Sequence, residues 1–196
     1  DNARFSWDLS TRATHASNAA PDWNFRQDMG FDFHTVATAG SRDLATLTLQ
    51  GSLTRIDNNP RPSPLFDDGD DWEFFYRTFE LTIHLPGRLS PDLAFGHMVV
   101  PYGVEHHVDT TGTLLQYGLG PRLGLKADWG VALRDELTTW EYALMLGRGS
   151  GAEYRDTDKP YTWSGRIGTA RHKSTTFGIS AFYGDVRNPN GIILSR

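Results

Sequence analysis

The feature that most constrains the fold of this chain is an alternation of apolar and polar side chains with a period of two residues. Between residues 44 and 55, leucine and small residues alternate with threonine, glutamine and serine. Residues 122–134 show the sharpest alternation, and one parity carries Leu123, Leu125, Ala127, Trp129, Val131 and Leu133. Because successive side chains of a strand point to opposite faces of its sheet, this pattern predicts strands with one apolar and one polar face.

The alternation predicts nine strands, at 5–13, 24–36, 44–55, 72–85, 92–100, 122–134, 139–146, 161–171 and 176–186. In the fourth, Phe75 shares the apolar face with Phe79, Leu81 and Ile83, and Arg77 is the one exception on that face.

The connections between these strands alternate between short and long. Short turns at 37–42, 86–91, 135–138 and 172–175 alternate with long segments at 57–71, 101–121 and 147–160. Short periplasmic turns and longer outer loops are typical of outer-membrane barrels. We therefore predict an all-β fold, an antiparallel up-and-down transmembrane β-barrel with about nine to ten strands in this chain.

Residues 1–196 are predicted to form a single β-barrel domain or part of one. An odd number of strands is unusual for a closed single-chain bacterial barrel. We expect missing strands beyond Arg196, a count that is wrong by one, or a wall completed by other copies or chains.

Composition excludes several classes of protein. The net charge is −5, and the sequence has no cluster of basic residues of the kind that binds nucleic acid. We therefore expect no nucleic-acid partner. The chain has no cysteine, which excludes disulfides and thiolate sites, and no apolar run approaches the roughly 20 residues of a transmembrane helix. Asp8, Ser10, His15 and Ser17 supply catalytic residue types without a recognised motif, so we expect no enzymatic activity and no cofactor.

Three stretches in the middle third of the chain resemble a known family. The segment 95–105 has the sequence FGHMVVPYGVE, and DWGVAL at 128–133 and WEYALMLGRGSG at 140–151 follow it. In this order they resemble the bacterial outer-membrane porins that include the phosphate-selective porins. The resemblance implies a partial or truncated barrel in the bacterial cell outer membrane, with lipid around it and small hydrophilic solutes passing through.

If the apolar faces contact lipid, the polar faces line a lumen. The predicted pore-lining residues are Asp32, His34, Glu80, His84, His97, Arg122, Lys126, Asp128, Arg134, Glu141, Arg166 and His172. Charges of both signs are present in nearly equal number among them, so the sequence does not predict a selectivity.

If residues 15–22 are counted as the first long loop, residues 101–121 form the third, and they are predicted to fold inward as a constriction loop, carrying Glu105, His106, His107 and Asp109. Adjacent histidines on an extended chain point in opposite directions, so we do not predict a metal site there.

We expect an outer-membrane porin-like channel for passive diffusion of small hydrophilic solutes or anions, with a homo-oligomer as one possibility. One alternative is a barrel that sheathes or anchors a partner protein in its lumen, such as an electron-transfer subunit. A second alternative is a soluble β-sandwich that binds carbohydrate through exposed aromatic side chains.

Overall fold

The computed structural model describes residues 2–15, 23–57, 71–87, 90–103, 127–151, 160–170, 175–187 and 193–195. The ten strands are β1 (Ala3–His15), β2 (Trp23–Ala39), β3 (Arg42–Asp57), β4 (Glu73–His84), β5 (Asp92–Val99), β6 (Ala127–Glu136), β7 (Trp140–Gly147), β8 (Thr162–Thr169), β9 (Gly178–Arg187) and β10 (Ile193–Ser195). No helix in the described part of the chain is long and apolar enough to cross a membrane.

All ten strands belong to one antiparallel up-and-down sheet, in which each strand pairs with its neighbours along the chain. The prediction of an all-β antiparallel fold is confirmed, and β10 is the strand that the count of nine omits. Among the described residues β1 pairs only with β2, and β10 only with β9. The sheet therefore has two edges and is not closed into a barrel.

The pairing register gives the sheet two chemically different faces. Leu47 and Leu81 are paired, and so are Thr46 and Thr82 on the opposite side. The apolar face carries the first pair, and the polar face carries the second. These two names are used below for the same sides of every strand.

A β-bulge corrects the predicted faces of the fourth strand. The register between β3 and β4 shifts between Gln50 and Gly51, where Arg77 is the extra residue of β4. Beyond this point Phe74 pairs with Leu53 on the apolar face, while Phe75 lies opposite a serine on the polar face. The prediction for Phe75 was wrong because an inserted residue reverses the alternation, and the exceptional Arg77 marks the insertion.

The sheet curls around its polar face. Asp92 and Ser180 belong to the same row of paired residues, and Val99 lies seven residues further along β5. In a flat sheet, Ser180 would be about 19 Å across and about 23 Å along from Val99, or roughly 30 Å away. However, the backbone N–H of Gly103, four residues after Val99, donates to Ser180 Oγ at 2.9 Å. Because four residues span at most about 14 Å, the strands between them must bend inward.

A row of glycines crosses the curled region on the polar face. Gly96, Gly130 and Gly147 are consecutive partners on β5, β6 and β7. Gly96 has a φ of 126°, and an added Cβ there would meet the backbone carbonyl of Phe79. Glycine lets the backbone adopt this conformation and brings neighbouring strands close, which favours a sharp bend of the sheet.

Candidate functional site: the polar face

The polar face of β1–β3 carries two ion pairs, one between β1 and β2 and one within β2. On β2, Asp32 contacts Arg4 of β1 at 2.9 Å and accepts a hydrogen bond from Gln50 of β3 at 3.3 Å. Four residues before Asp32 on β2, Asp28 contacts Arg26 at 2.7 Å. These acids and bases share one face because they are paired across strands or spaced by two residues.

A chain of hydrogen bonds through His84 links β3, β4 and β5. His84 Nε2 lies 2.8 Å from Thr46 Oγ1, and its Nδ1 lies 2.6 Å from Asp92 Oδ1. A second histidine of the predicted set, His34 of β2, has its Nδ1 3.3 Å from Thr48 Oγ1. Both rings are therefore oriented by hydroxyl groups on β3.

Arg134 of β6 spans to β4 across the polar face. Its guanidinium forms an ion pair with Glu80 and donates to Thr82 Oγ1 at 3.1 Å. Glu80 is buried, and it also accepts a hydrogen bond from Thr82 Oγ1 at 2.7 Å. A buried carboxylate is costly unless it is paired in this way.

A second guanidinium is enclosed more completely. Arg166 of β8 pairs with Glu141 of β7, and their side chains are only 2% and 7% exposed. Arg134 and Arg166 belong to one row of the sheet, on either side of Ala143. The small side chain of Ala143 leaves room between the two arginines.

Asp128 of β6 anchors the chain that follows β7. Its Oδ2 accepts from the backbone N–H of Gly149 at 2.6 Å and from Thr162 Oγ1 at 3.3 Å. Its Oδ1 accepts from the backbone N–H groups of Trp129 and Gly151 at 2.9 and 3.1 Å. The side chain is fully buried, so these four donors take the place of water.

The start of the predicted constriction loop lies against the polar face. Val100 is buried in a cluster on this face, and the Tyr102 ring packs edge-to-face against Phe182 of β9, with their centroids 6.3 Å apart. The hydrogen bond from Gly103 to Ser180 fixes the same segment. The other buried members of the cluster are Ala94, Met98, Ala132, Met145 and Val186.

A cavity of about 370 Å³ remains between this segment and the strands. Pro101 lines one side of it, and Arg134 and Arg166 line another. The cavity is also lined by the acids Asp92, Asp135, Glu136 and Glu141. It is the place where the charged rows of the polar face meet the inward-folded segment.

The structure thus brings together eight of the predicted pore-lining residues on the polar face: Asp32, His34, Glu80, His84, Asp128, Arg134, Glu141 and Arg166. Arg122, Lys126 and His172 lie outside the described residues, as do Glu105, His106, His107 and Asp109 of the predicted loop. A pore-lining role stays a prediction for all of them.

His97 is placed differently from the rest of the predicted set. It pairs with Phe79 and Trp129, whose side chains belong to the apolar face. The ring centroids of His97 and Trp129 are 5.4 Å apart, and His97 Nδ1 lies 3.0 Å from the carbonyl oxygen of Arg77 at the bulge. His97 is two residues after Phe95, so the alternation along β5 would have placed both side chains on the apolar face. The prediction that His97 lies on the polar face with the pore-lining residues was therefore wrong.

Sequence reasoning missed several residues of the site. Arg26 and Asp28 share the parity of Asp32 on β2, so the alternation itself could have identified them. The position of Tyr102 opposite Phe182 depends on how the chain turns after β5, and no sequence pattern indicates it. Within the described residues, no group of three or more His, Asp or Glu side chains could hold a metal ion.

Comparison with protein-family models, curated proteins and solved structures found no match for this chain. The function must therefore be argued from the two faces of the sheet.

Proposed function

We propose that this chain forms the wall of an outer-membrane β-barrel and lines its lumen. The barrel is a porin-like channel through which small hydrophilic solutes diffuse. The observation that carries the proposal is the inverted exposure of the two faces. On the apolar face Trp7 is 69% exposed and Ile179 76% exposed, whereas Arg166 on the polar face is 4% exposed. A soluble protein places such side chains the other way round.

The exposed apolar side chains are too many and too continuous for an ordinary soluble surface. They occur on most strands, at Phe5, Trp7, Leu9, Met29, Leu81, Ile83, Phe95, Val131, Leu144, Leu146, Trp163, Ile167, Ile179 and Tyr183. Contiguous apolar surface of this kind needs a partner, and a lipid bilayer covers such a band on outer-membrane barrels.

The polar face supplies what a hydrated passage requires. Its charged side chains are held in fixed positions by ion pairs across and along the strands and by the backbone donors around Asp128. The segment 100–103 narrows the space in front of these groups. Width and fixed charge are the two properties by which a passive pore filters solutes.

Closure of the sheet is part of the proposal. Unpaired backbone groups along β1 would cost several kcal/mol each in lipid, so the edge requires a further strand in the membrane. Additional strands of the same chain or strands of other copies meet this requirement equally well.

The test is planar-bilayer conductance of the full-length protein extracted from membranes in detergent. Discrete, stable conductance steps in KCl are the expected result. A protein that needs detergent but shows no conductance would instead favour the barrel that holds a partner in its lumen. Solubility without detergent and no conductance would refute the membrane assignment and favour the carbohydrate-binding sandwich.

A further inference from the structure

The exposed side chains of the apolar face do not follow the rows of paired residues. One such row joins Ala3 of β1 to Tyr183 of β9 through one residue of every strand between them. At β1 the exposed apolar side chains lie within Phe5–Leu9, displaced from this row towards the long segments. At β9 they lie within Phe177–Tyr183, which extends from the row towards the short turns. These side chains therefore form an apolar band that crosses the strands obliquely.

The slope of the apolar band follows from the position of its middle on these two strands. On β1 the middle is Trp7, four residues from the row of Ala3 and Tyr183, and at β9 it is Ser180, three residues from the row in the opposite direction. Seven residues correspond to about 24 Å along the strands, and the eight steps from β1 to β9 correspond to about 38 Å across them. The apolar band is thus inclined by roughly 30° to the rows, close to the tilt of about 35–45° of membrane-spanning strands.

The polar residues that end the apolar band on the side of the long segments show a similar slope. On β1 the next residue of the apolar face after Leu9 is Thr11, and on β9 the next residue after Tyr183 is Asp185. Relative to the row of Ala3 and Tyr183, this border shifts by six residues, or about 20 Å, between the two strands. The hydrocarbon layer of a bilayer is a slab that every strand crosses at the same level, whereas a protein partner covers a limited patch. A continuous oblique band therefore favours a lipid bilayer as the partner of this surface.

The slope changes which charged groups of the polar face share a depth. Asp32 is the neighbour of Phe31, which pairs with Trp7 at the middle of the apolar band on β1 and β2. Arg166 pairs with Ser180 at its middle on β8 and β9. Along the strands, the row of Asp32 lies six residues, or about 20 Å, nearer the long segments than the row of Arg166. Relative to the apolar band, however, both residues lie within one residue of its middle.

We propose that the strands cross the bilayer at this inclination and that the ion pairs Arg4–Asp32 and Glu141–Arg166 therefore lie at one depth, near the middle of the membrane. The inference rests on the proposed channel function and locates its constriction. The inward segment 100–103 reaches the same depth, because Gly103 donates to Ser180. The two ion pairs and this segment thus face the narrowest level of the passage, and the level of Asp32 limits conductance although it is remote from Arg166 in the sheet.

The first test measures depth in the membrane at three positions of the same row. The chain has no cysteine, so Ala3→Cys, Phe95→Cys and Tyr183→Cys each give one site for a nitroxide label in the full-length protein. In phosphatidylcholine liposomes, the relative accessibility of the label to oxygen and to a water-soluble nickel complex gives its depth. Labels at positions 3 and 183 are expected in opposite halves of the bilayer, about 20 Å apart in depth, with position 95 near the middle. Equal depth at all three positions would overturn the inclination and leave the channel function standing.

The second test determines whether the level of Asp32 limits the current. Ser6→Cys and Ser10→Cys are matched variants, because both serines are exposed on the polar face of β1, paired with Asp32 and Asp28 respectively. A thiol-reactive trimethylammonium reagent adds the same bulk and charge to each. Modification at position 6 should reduce single-channel conductance at least about twofold more than modification at position 10. Equal reductions would overturn the constriction at this depth, and protein that neither inserts nor conducts would overturn the proposed function together with the inference.

Discussion

The carboxylate of Asp128 is expected to hold the chain after β7 against the sheet, and Asp128→Asn tests this role. The single oxygen of asparagine can accept the hydrogen bonds of only one of the two carboxylate oxygens of Asp128. Its best orientation keeps the bonds from Trp129 and Gly151 and turns the amide NH₂ towards Gly149, since the hydroxyl of Thr162 can rotate to accept. The backbone N–H of Gly149 then faces a second donor.

The magnitude follows from the lost and weakened bonds. A hydrogen bond to a charged acceptor contributes about 1.5–3 kcal/mol, and a neutral acceptor lowers each retained bond by about 1 kcal/mol. Removing a buried charge recovers part of its desolvation cost. We therefore expect Asp128→Asn to lower the free energy of unfolding by about 2–4 kcal/mol. Thr162→Val, which removes one hydroxyl donor and leaves three N–H donors, should cost about 1 kcal/mol.

Two assays separate global from local effects. Urea unfolding in detergent micelles, followed by tryptophan fluorescence, gives the free energy of unfolding. Limited digestion with trypsin reports release of the anchored segment, through faster cleavage after Arg148, which lies next to the anchored glycines. Asp43→Asn, at an exposed position near the start of β3, serves as the control. The reasoning is refuted if Asp128→Asn matches this control in both stability and cleavage rate.

Three further substitutions test the buried pair, the apolar face and the inward segment. Arg166→Met should lower the free energy of unfolding by about 3–5 kcal/mol because it leaves Glu141 buried without its cation, and adding Glu141→Leu should recover most of this loss in the same urea assay; equal instability of the single and double variants would contradict it. Val131→Arg places a charge on the apolar face beside Phe95 and should oppose insertion into liposomes by about 2–4 kcal/mol, measured as the membrane-bound fraction, whereas insertion equal to wild type would argue against lipid contact. Tyr102→Ala removes the ring that packs on β9 and should raise single-channel conductance, and an unchanged conductance would show that this segment does not narrow the passage.

The alternation of side chains located nine of the ten described strands, since each predicted strand corresponds to a strand of the sheet and β10 was omitted. The pattern is strong because one face excludes polar groups and the other collects them, and this difference recurs every two residues. It failed over Phe75, where the bulge at Arg77 inserts one residue and reverses the faces. A single insertion is invisible to a periodic pattern, except as the kind of exception that Arg77 makes.

The partners of the charged residues could not be predicted from the sequence. Glu80 and Arg134 are 54 residues apart, and Glu141 and Arg166 are 25 apart. Which acid meets which base depends on the register of every intervening strand and on the curl of the sheet. The alternation along each strand places these charged groups on one face of the sheet. It does not determine which of them form ion pairs.

The direction of the curl, in contrast, follows from a property that the sequence contains. On β5 and β6 the polar face carries Gly96 and Gly130 in one row and Ala132 in the next polar-face row, while the apolar face carries Phe95 and Val131. Bulky side chains need more area than small ones, so a sheet with unequal faces bends towards the small side chains and spreads the large ones outward. The same distribution that makes one face apolar therefore makes that face convex. Charged groups on the opposite face become enclosed, and enclosure explains why Arg134 and Arg166 are paired with buried acids.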